Sequence, residues 1–233
     1  HWSVADKPAF WGLVWDFCRL HGEPGDVVFK EGNNFESCQF FPDARLNFAE
    51  NLLWRRDDHP ALIAIDESGA RSCLSHADLY HQAGQIAAGL TAAGVQPGDR
   101  VAAYLPNGME AIVAALGCAW IGAVWSSCSP DFGVAGALDR FGQIKPRVLI
   151  AATSGQYNGK PLVLTERVQA LMTGLAPALT LTIGNTSLAG VESFDHWREL
   201  QGKPPAFARL PFDHPLYILY SSGTTGLPKC IMQ

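Results

Sequence analysis

The sequence predicts an α/β protein: a predominantly parallel sheet of βαβ units flanked by helices, preceded by an irregular, aromatic-rich N-terminal arm. Three observations predict it. From about residue 100 onward, short apolar runs alternate with longer stretches at helical period, the pitch that right-handed βαβ crossovers require. The chain has 233 residues, 48% of them hydrophobic and 17% charged, enough apolar side chain to cover a sheet on both faces. Near its end an apolar run breaks abruptly into small, hydroxylated residues and glycine, as strands of such sheets do where ligands gather at their carboxyl ends.

In chain order, Phe10, Trp11, Val14, Trp15, Phe17 and Cys18 recur at helical spacing and predict a helix over roughly 8–20. Residues 22–44 are rich in Gly, Pro and Asn without periodicity, yet carry Phe29, Phe35, Phe40 and Phe41. They read as an arm pinned to the body by aromatics. Asn47 with Glu50 has the spacing of a helix start, leading into a helix over 48–56. Ala61–Ile65, a turn at Asp66-Glu67-Ser68-Gly69, and Arg71–Leu74 form a hairpin. Ser75 with Asp78 starts a helix that Gly94 ends. The alternation then continues: strand Arg100–Leu105, helix Met109–Ile121, strand Ala123–Ser127, helix Val134–Ile144 and strand Arg147–Ala152. Helix Thr165–Leu175, strand Leu179–Ile183 and a helical stretch at Phe194–Leu200 follow. Tyr157-Asn158-Gly159-Lys160 reads as a turn between a strand and a helix, Asn-Gly being the turn signal.

Charge and composition exclude several functions. A net charge of -5 with pI near 5.8, and no Lys/Arg cluster, argue against a nucleic-acid surface, so anions must be bound locally. The six cysteines form no C-x-x-C pair and have no His at metal spacing, which argues against a structural zinc site and leaves no metal-ligating residues to nominate. With no signal peptide and no run of membrane-spanning length, membrane insertion is not expected and a reducing cytoplasm is the expected compartment. Since the first residue is His1 and a returning strand Cys230-Ile231-Met232 has just begun at the end, the chain reads as a fragment of a longer protein.

The chemistry is concentrated in Leu216 to Lys229. A β-branched and aromatic run meets Ser221-Ser222-Gly223-Thr224-Thr225-Gly226, then Leu227-Pro228-Lys229. Gly223 and Gly226 let the backbone take positive φ and bring N–H groups against anionic oxygens. Ser221, Ser222, Thr224 and Thr225 add hydroxyl donors, one of which can ligate Mg²⁺. Pro228 stiffens the exit and Lys229 adds a point charge. The spacing is not that of a Walker A loop, because Leu227 and Pro228 separate Gly226 from the lysine. The alternative for these residues is an ordinary hydroxyl-rich turn closing a hairpin, against which the density of donors, glycines, Pro and Lys weighs.

Tyr220 through Lys229 resembles the signature loop of the adenylate-forming superfamily, which includes acyl-CoA synthetases, luciferases and nonribosomal adenylation domains. The resemblance implies the amino-terminal subdomain of a two-step ligase. A carboxylate attacks the α-phosphate of ATP to give an acyl-adenylate, and the CoA thiol then displaces AMP. Phe41 to Leu53 and Trp125 to Val134 resemble the acetoacetyl-CoA synthetase branch. Acetyl-CoA synthetases typically carry Trp-Phe and a Gly pair before the shared Leu-Asn, where Phe40-Phe41-Pro42 stands here, so the resemblance implies acetoacetate as the acid. By the residues alone both stretches are also simple helix entrances.

The resemblance further implies residues 1–56 as helix and arm, and 57–233 as the first α/β subdomain of an AMP-binding domain cut just after the phosphate loop. ATP, CoA and acetoacetate are the implied small-molecule substrates, with Mg²⁺. Thr224 and Lys229 are the implied catalytic groups, among Ser221, Ser222, Gly223, Thr224, Thr225, Gly226 and Lys229 holding the ATP phosphates. Basic residues near the Asn-Gly turn meet the nucleotide end of CoA in related enzymes, which implicates Lys160 and Arg167; a solvated lysine is the alternative for Lys160. Residues for the adenine, the ribose and most of the acyl pocket lie beyond Gln233 in the family pattern, so this chain alone is expected to be inactive. His76 and His81 are five apart and no Gly-x-Ser-x-Gly elbow occurs, which leaves no hydrolase triad. Two other functions stay open: a synthetase for acetate or propionate, and a non-catalytic nucleotide-binding module.

Overall fold

The computed structural model describes residues 1–184, 188–221, 226 and 228–233. At its centre five strands are all parallel: β1 (Arg100–Tyr104), β2 (Val124–Cys128), β3 (Val148–Ala152), β4 (Leu179–Ile183) and β5 (Glu192–Ser193). Their order is β5-β4-β3-β1-β2, so the chain steps from β1 to β2 on one side and then returns past β1 to build β3, β4 and β5 on the other. A reversal of this kind opens a crevice between the carboxyl ends of β1 and β3.

Helices cover both faces. Helices α1 (His76–Ala92), α2 (Met109–Ile121) and α5 (Phe194–Glu199) pack on the side to which Val101, Ala103, Val148, Ile150 and Leu181 point. The other side receives α3 (Gly133–Ile144) and α4 (Thr165–Leu175), which meet Ala102, Tyr104, Leu149 and Ala151. Every residue of β3 is therefore buried, and the strand reads as a continuous apolar run because neither face sees water. The capping box at Ser75 and Asp78 forms as the spacing predicts, each side chain accepting the other's backbone N–H.

Helices α1 and α2 touch closely enough to demand glycine. A Cβ on Gly117 would lie 2.7 Å from Ile86 Cγ2 and 3.1 Å from the Ala83 carbonyl, whereas one on Gly142 of α3 would meet nothing within 4 Å. Gly117→Ala is expected to cost about 1–3 kcal/mol through overpacking, outweighing the gain of about 1 kcal/mol in helix propensity. Gly142→Ala is expected to keep that gain. Urea unfolding of the two variants should move the midpoint in opposite directions.

The arm packs as anticipated in most respects. Its helix, Lys7–Cys18, is N-capped by Asp6, and Trp15, Phe41 and Ala44 form a small buried cluster of their own. Trp11 and Phe29 both stack against Phe40, at 5.5 and 5.0 Å. Phe35 is the exception, since it is 91% exposed. The segment is also less irregular than its composition suggests: Phe29–Lys30 pairs with Gln39–Phe40, and Arg45–Leu46 pairs with both Gly22–Glu23 and Leu210–Pro211.

Three expectations need correction. The helix after Asn47 runs only over Phe48–Leu52, because Leu53 turns into the core at 2% exposure and the chain leaves with it. Tyr157 to Lys160 joins two strands rather than a strand and a helix: Ser154–Tyr157 pairs antiparallel with Lys160–Val163. Asn158 and Gly159 have φ of 50° and 71°, the pair of positive values that a two-residue hairpin turn needs. Finally, the strand that leads into the Ser221 to Lys229 run belongs to an antiparallel hairpin, Ile218–Ser221 with Lys229–Met232, and is not a further βαβ member of the central sheet. It docks parallel along the free edge of β2, where the Trp125 N–H donates to the Leu216 carbonyl at 3.1 Å.

Candidate functional site

The hairpin brings the two ends of the loop together. Ser221 and Lys229 are paired across the two strands, which sets the two ends of the run side by side. Gly226 has a φ of 117°, a conformation that favours glycine, and nothing lies within 4 Å of where its Cβ would be. Ser221 is half-buried, and Lys229 is exposed at the start of the return strand. Ser222, Gly223, Thr224, Thr225 and Leu227 lie outside the described residues.

The leading end of the loop is fixed to β2. Ser126, fully buried, donates its hydroxyl to the Ile218 carbonyl at 2.9 Å and lies 3.2 Å from the Tyr220 hydroxyl. The Arg140 guanidinium stacks 4.0 Å above Phe132 and reaches to 5.9 Å from the Tyr220 ring. At the trailing end the Gln143 amide donates to the Pro228 carbonyl at 2.9 Å, and its oxygen accepts from the Cys230 thiol at 3.5 Å. Ser126 falls in the Trp125 to Val134 stretch singled out from sequence, though without a role; nothing flagged Arg140 or Gln143 beyond their sharing one face of a helix.

Burial governs titration here. It pushes the Tyr220 phenol up to about 12 from 10.0, and the Cys128 thiol up to about 12 from 9.0. Cys118, in the core of α2 as the sequence predicts, is raised by the same cause. At neutral pH these thiols stay protonated and inert. The sign follows from linkage: below the unfolded values both states hold the protons, and between about 9 and 12 only the folded state does. Stability is thus expected to fall as pH rises through that window. Burial raises the Tyr104 phenol too, so Tyr220→Phe should remove one of two late-titrating phenols from the 295 nm absorbance titration; an unchanged curve would contradict the assignment.

The second feature is the crevice at the strand reversal, a cavity of about 540 Å³. Pro106 and Asn107 after β1, Ser129 to Asp131 after β2, and Gly155 and Gln156 after β3 line it, with Asp66 and Glu67 as an outer wall. The carboxylates in these walls are engaged locally. The Ser68 hydroxyl, aided by backbone N–H groups, holds the Asp66 carboxyl below its usual range. Glu67 accepts from the Gly159 N–H at 2.9 Å, and Asp131 from the Ser129 hydroxyl at 2.8 Å. Tyr104 and Arg167 both donate to the Pro130 carbonyl, at 2.9 and 3.1 Å, which fixes the turn after β2.

Of the basic residues singled out from sequence, Lys160 stands exposed on the hairpin that walls the crevice, and Arg167 is tied to backbone beneath it. They are not brought to the same point. A separate apolar cavity of about 370 Å³ lies beside Gly122 and Ala123, before β2, at the end of the strands away from the loop. Among the described residues no group of three or more His, Cys, Asp or Glu could hold a metal ion, and no helix is long and apolar enough to cross a membrane.

Comparison with known proteins bears on this geometry. An acetoacetyl-coenzyme A synthetase of Rhizobium meliloti (strain 1021) is 44% identical over 239 residues, covering 99% of this chain and 37% of that protein. A malonamoyl-CoA synthetase of Penicillium aethiopicum is 38% identical over 261 residues, covering 100% of this chain and 35% of its own length. Among solved structures, an acetoacetyl-CoA synthetase from Streptomyces lividans superposes with a TM-score of 0.93 at 38% identity, over 100% of this chain and 37% of that one. The chain thus spans little more than a third of the length of these relatives. The α/β fold expected from sequence is borne out, and the profile described as AMP-binding enzyme matches residues 50–233, from the helix after the arm through the loop: the chain belongs to the AMP-binding enzyme family.

Proposed function

We propose that the complete protein is an ATP-dependent acid–CoA ligase whose acid is acetoacetate, with AMP and pyrophosphate released. The observation that carries the reading is the pairing of Ser221 with Lys229, which closes a loop of hydroxyls and glycines beside a parallel sheet. Its chemistry is positioning and charge neutralisation: N–H groups, hydroxyls and the Lys229 ammonium hold the β and γ phosphates and offset charge on departing pyrophosphate. Thr224 and Lys229 are the groups we assign to that step, with Ser221, Ser222, Gly223, Thr225 and Gly226 as further phosphate contacts. A hydroxyl of Ser221, Ser222, Thr224 or Thr225 would help hold Mg²⁺, which would supply positive charge against the leaving group. The donor set of hydroxyls and phosphate oxygens suits that hard cation.

The crevice between β1 and β3 is where we place CoA, with Lys160 on its rim facing a nucleotide phosphate. Arg167 bonds the Pro130 carbonyl of the crevice wall through one guanidinium nitrogen. Residues 57–233 form the first α/β subdomain in this reading, acting in the cytoplasm, and residues 1–233 alone are inactive. Acid-dependent AMP release from them would overturn the last statement.

Acetoacetate rests on the Phe41 to Leu53 stretch and on the relatives' names. A broader reading, acids with a carbonyl at the 3-position, is favoured by the malonamoyl-CoA synthetase at 38% identity, because malonamate shares that feature. Acid-dependent ATP/pyrophosphate exchange by the complete protein, with acetoacetate, malonamate, acetate and propionate compared, tests both. Exchange led by acetoacetate is expected; comparable rates with malonamate would favour the broader class, and no exchange with any acid would sink the ligase assignment. In the same preparation, Lys160→Ala is expected to raise KM for CoA several-fold and leave KM for ATP unchanged. An unchanged KM for CoA removes Lys160 from the site.

A further inference from the structure

Both ends of the loop are held by one face of α3. Arg140 lies beside the ring of Tyr220, immediately before Ser221, and Gln143, three residues on, reaches the segment on either side of Lys229. The Gln143 amide nitrogen also donates to the Asp139 carbonyl at 2.6 Å, which fixes the side chain against its own helix. Pro228 has no N–H, so its carbonyl is its one backbone handle, and Gln143 holds it. Bonds to Pro228 and to Cys230 restrain the backbone before and after Lys229, although Gln143 itself is exposed and adds little to the core.

We propose that Gln143 is a positioning residue for the ATP phosphates: through Pro228 and Cys230, which flank Lys229, it holds that lysine in the orientation that receives them. The inference rests on the phosphate-loop reading given above. An unrestrained loop would have to be ordered by the nucleotide on binding, which weakens ATP and leaves the other substrates alone.

The test uses the complete protein with Gln143→Met, which keeps the length and loses the amide, and Gln143→Glu, which can accept but not donate. Both variants are expected to raise KM for ATP about five-fold, the effect of one lost hydrogen bond, with kcat, KM for the acid, KM for CoA and the unfolding midpoint near wild type. Wild-type KM for ATP in Gln143→Met overturns the proposal, as does a common rise of all three KM values with a lowered midpoint, which would mark a structural role. Wild-type behaviour of Gln143→Glu alone also overturns it, because the donor to Pro228 would then be idle. Lys229→Ala run beside them separates the levels. If it abolishes exchange while the Gln143 variants are normal, only this inference fails; if Lys229→Ala is normal, the phosphate-loop reading fails and takes the inference with it.

Discussion

Replacing Lys229 with Ala in the complete protein is expected to slow acid-dependent ATP/pyrophosphate exchange by about 10²–10³-fold, the usual scale for removing one preorganised charge-stabilising donor. The lysine is exposed and forms no ion pair among the described residues, so its removal should leave the unfolding midpoint where it was. Its backbone pairs with Ser221, and a substitution by Ala keeps that pairing because only N–H and C=O are used. Lys229→Arg should recover part of the loss, since the charge survives but the planar fork is wider than a compact ammonium. Exchange within three-fold of wild type in Lys229→Ala would remove this residue from the phosphate-binding machinery.

The largest stability effect is expected at Asn47, which is 1% exposed. Its Oδ1 accepts from the Glu50 N–H at 3.2 Å and so caps the short helix Phe48–Leu52. Its Nδ2 faces three carbonyls, of Ala119, Trp120 and Ala208, at 2.9, 3.0 and 3.1 Å. Ala119 and Trp120 belong to the last turn of α2, and their carbonyls also accept from the Gly122 and Ala208 N–H groups, at 3.2 and 2.9 Å. One amide therefore closes the start of one helix and the end of another, its two hydrogens shared among three acceptors. Asn47→Ala loses the cap, about 1 kcal/mol, and the bonds from Nδ2, about 0.5–1.5 kcal/mol more, while the Ala119 and Trp120 carbonyls keep their backbone donors. Asn47→Asp is expected to be worse, although Asp is as good a cap, because a buried carboxylate would face those carbonyls. Urea unfolding should rank wild type above Asn47→Ala and Asn47→Asp last; Asp at or above Ala would mean that the cap alone matters.

How much was legible in the sequence follows from the range of the forces involved. Met109–Ile121, Thr165–Leu175 and Leu179–Ile183 have the bounds that their periodicity sets, because each is read against a sheet face that dictates burial residue by residue. The hairpin at Ser154–Val163 was missed because Gly155, Gln156 and Pro161 break its alternation, and its pairing is satisfied by backbone alone. The cap at Asn47 was visible from the spacing to Glu50, but its bonds to residues 72, 73 and 161 positions away were not. At the candidate site the loop announced itself by residue type, whereas its tethers did not. Gln143 looks like any exposed polar side chain until the fold brings Pro228 to it.

The seat of the loop hairpin on β2 has a kinetic consequence. Ser126 and Ile218 are 92 residues apart, while β1 pairs with β2 at a separation of 24 residues (Arg100 with Val124) and with β3 at 47 (Val101 with Val148). Closing the longer span costs more chain entropy, and only an edge contact repays it. Strand Ile218–Ser221 should therefore be late to join and early to open, a separate cooperative unit on an intact sheet. Amide hydrogen exchange would reveal it as faster exchange at Tyr220 than at Ile150. In that case the segment proposed to meet the nucleotide can be remodelled without unfolding the protein beneath it.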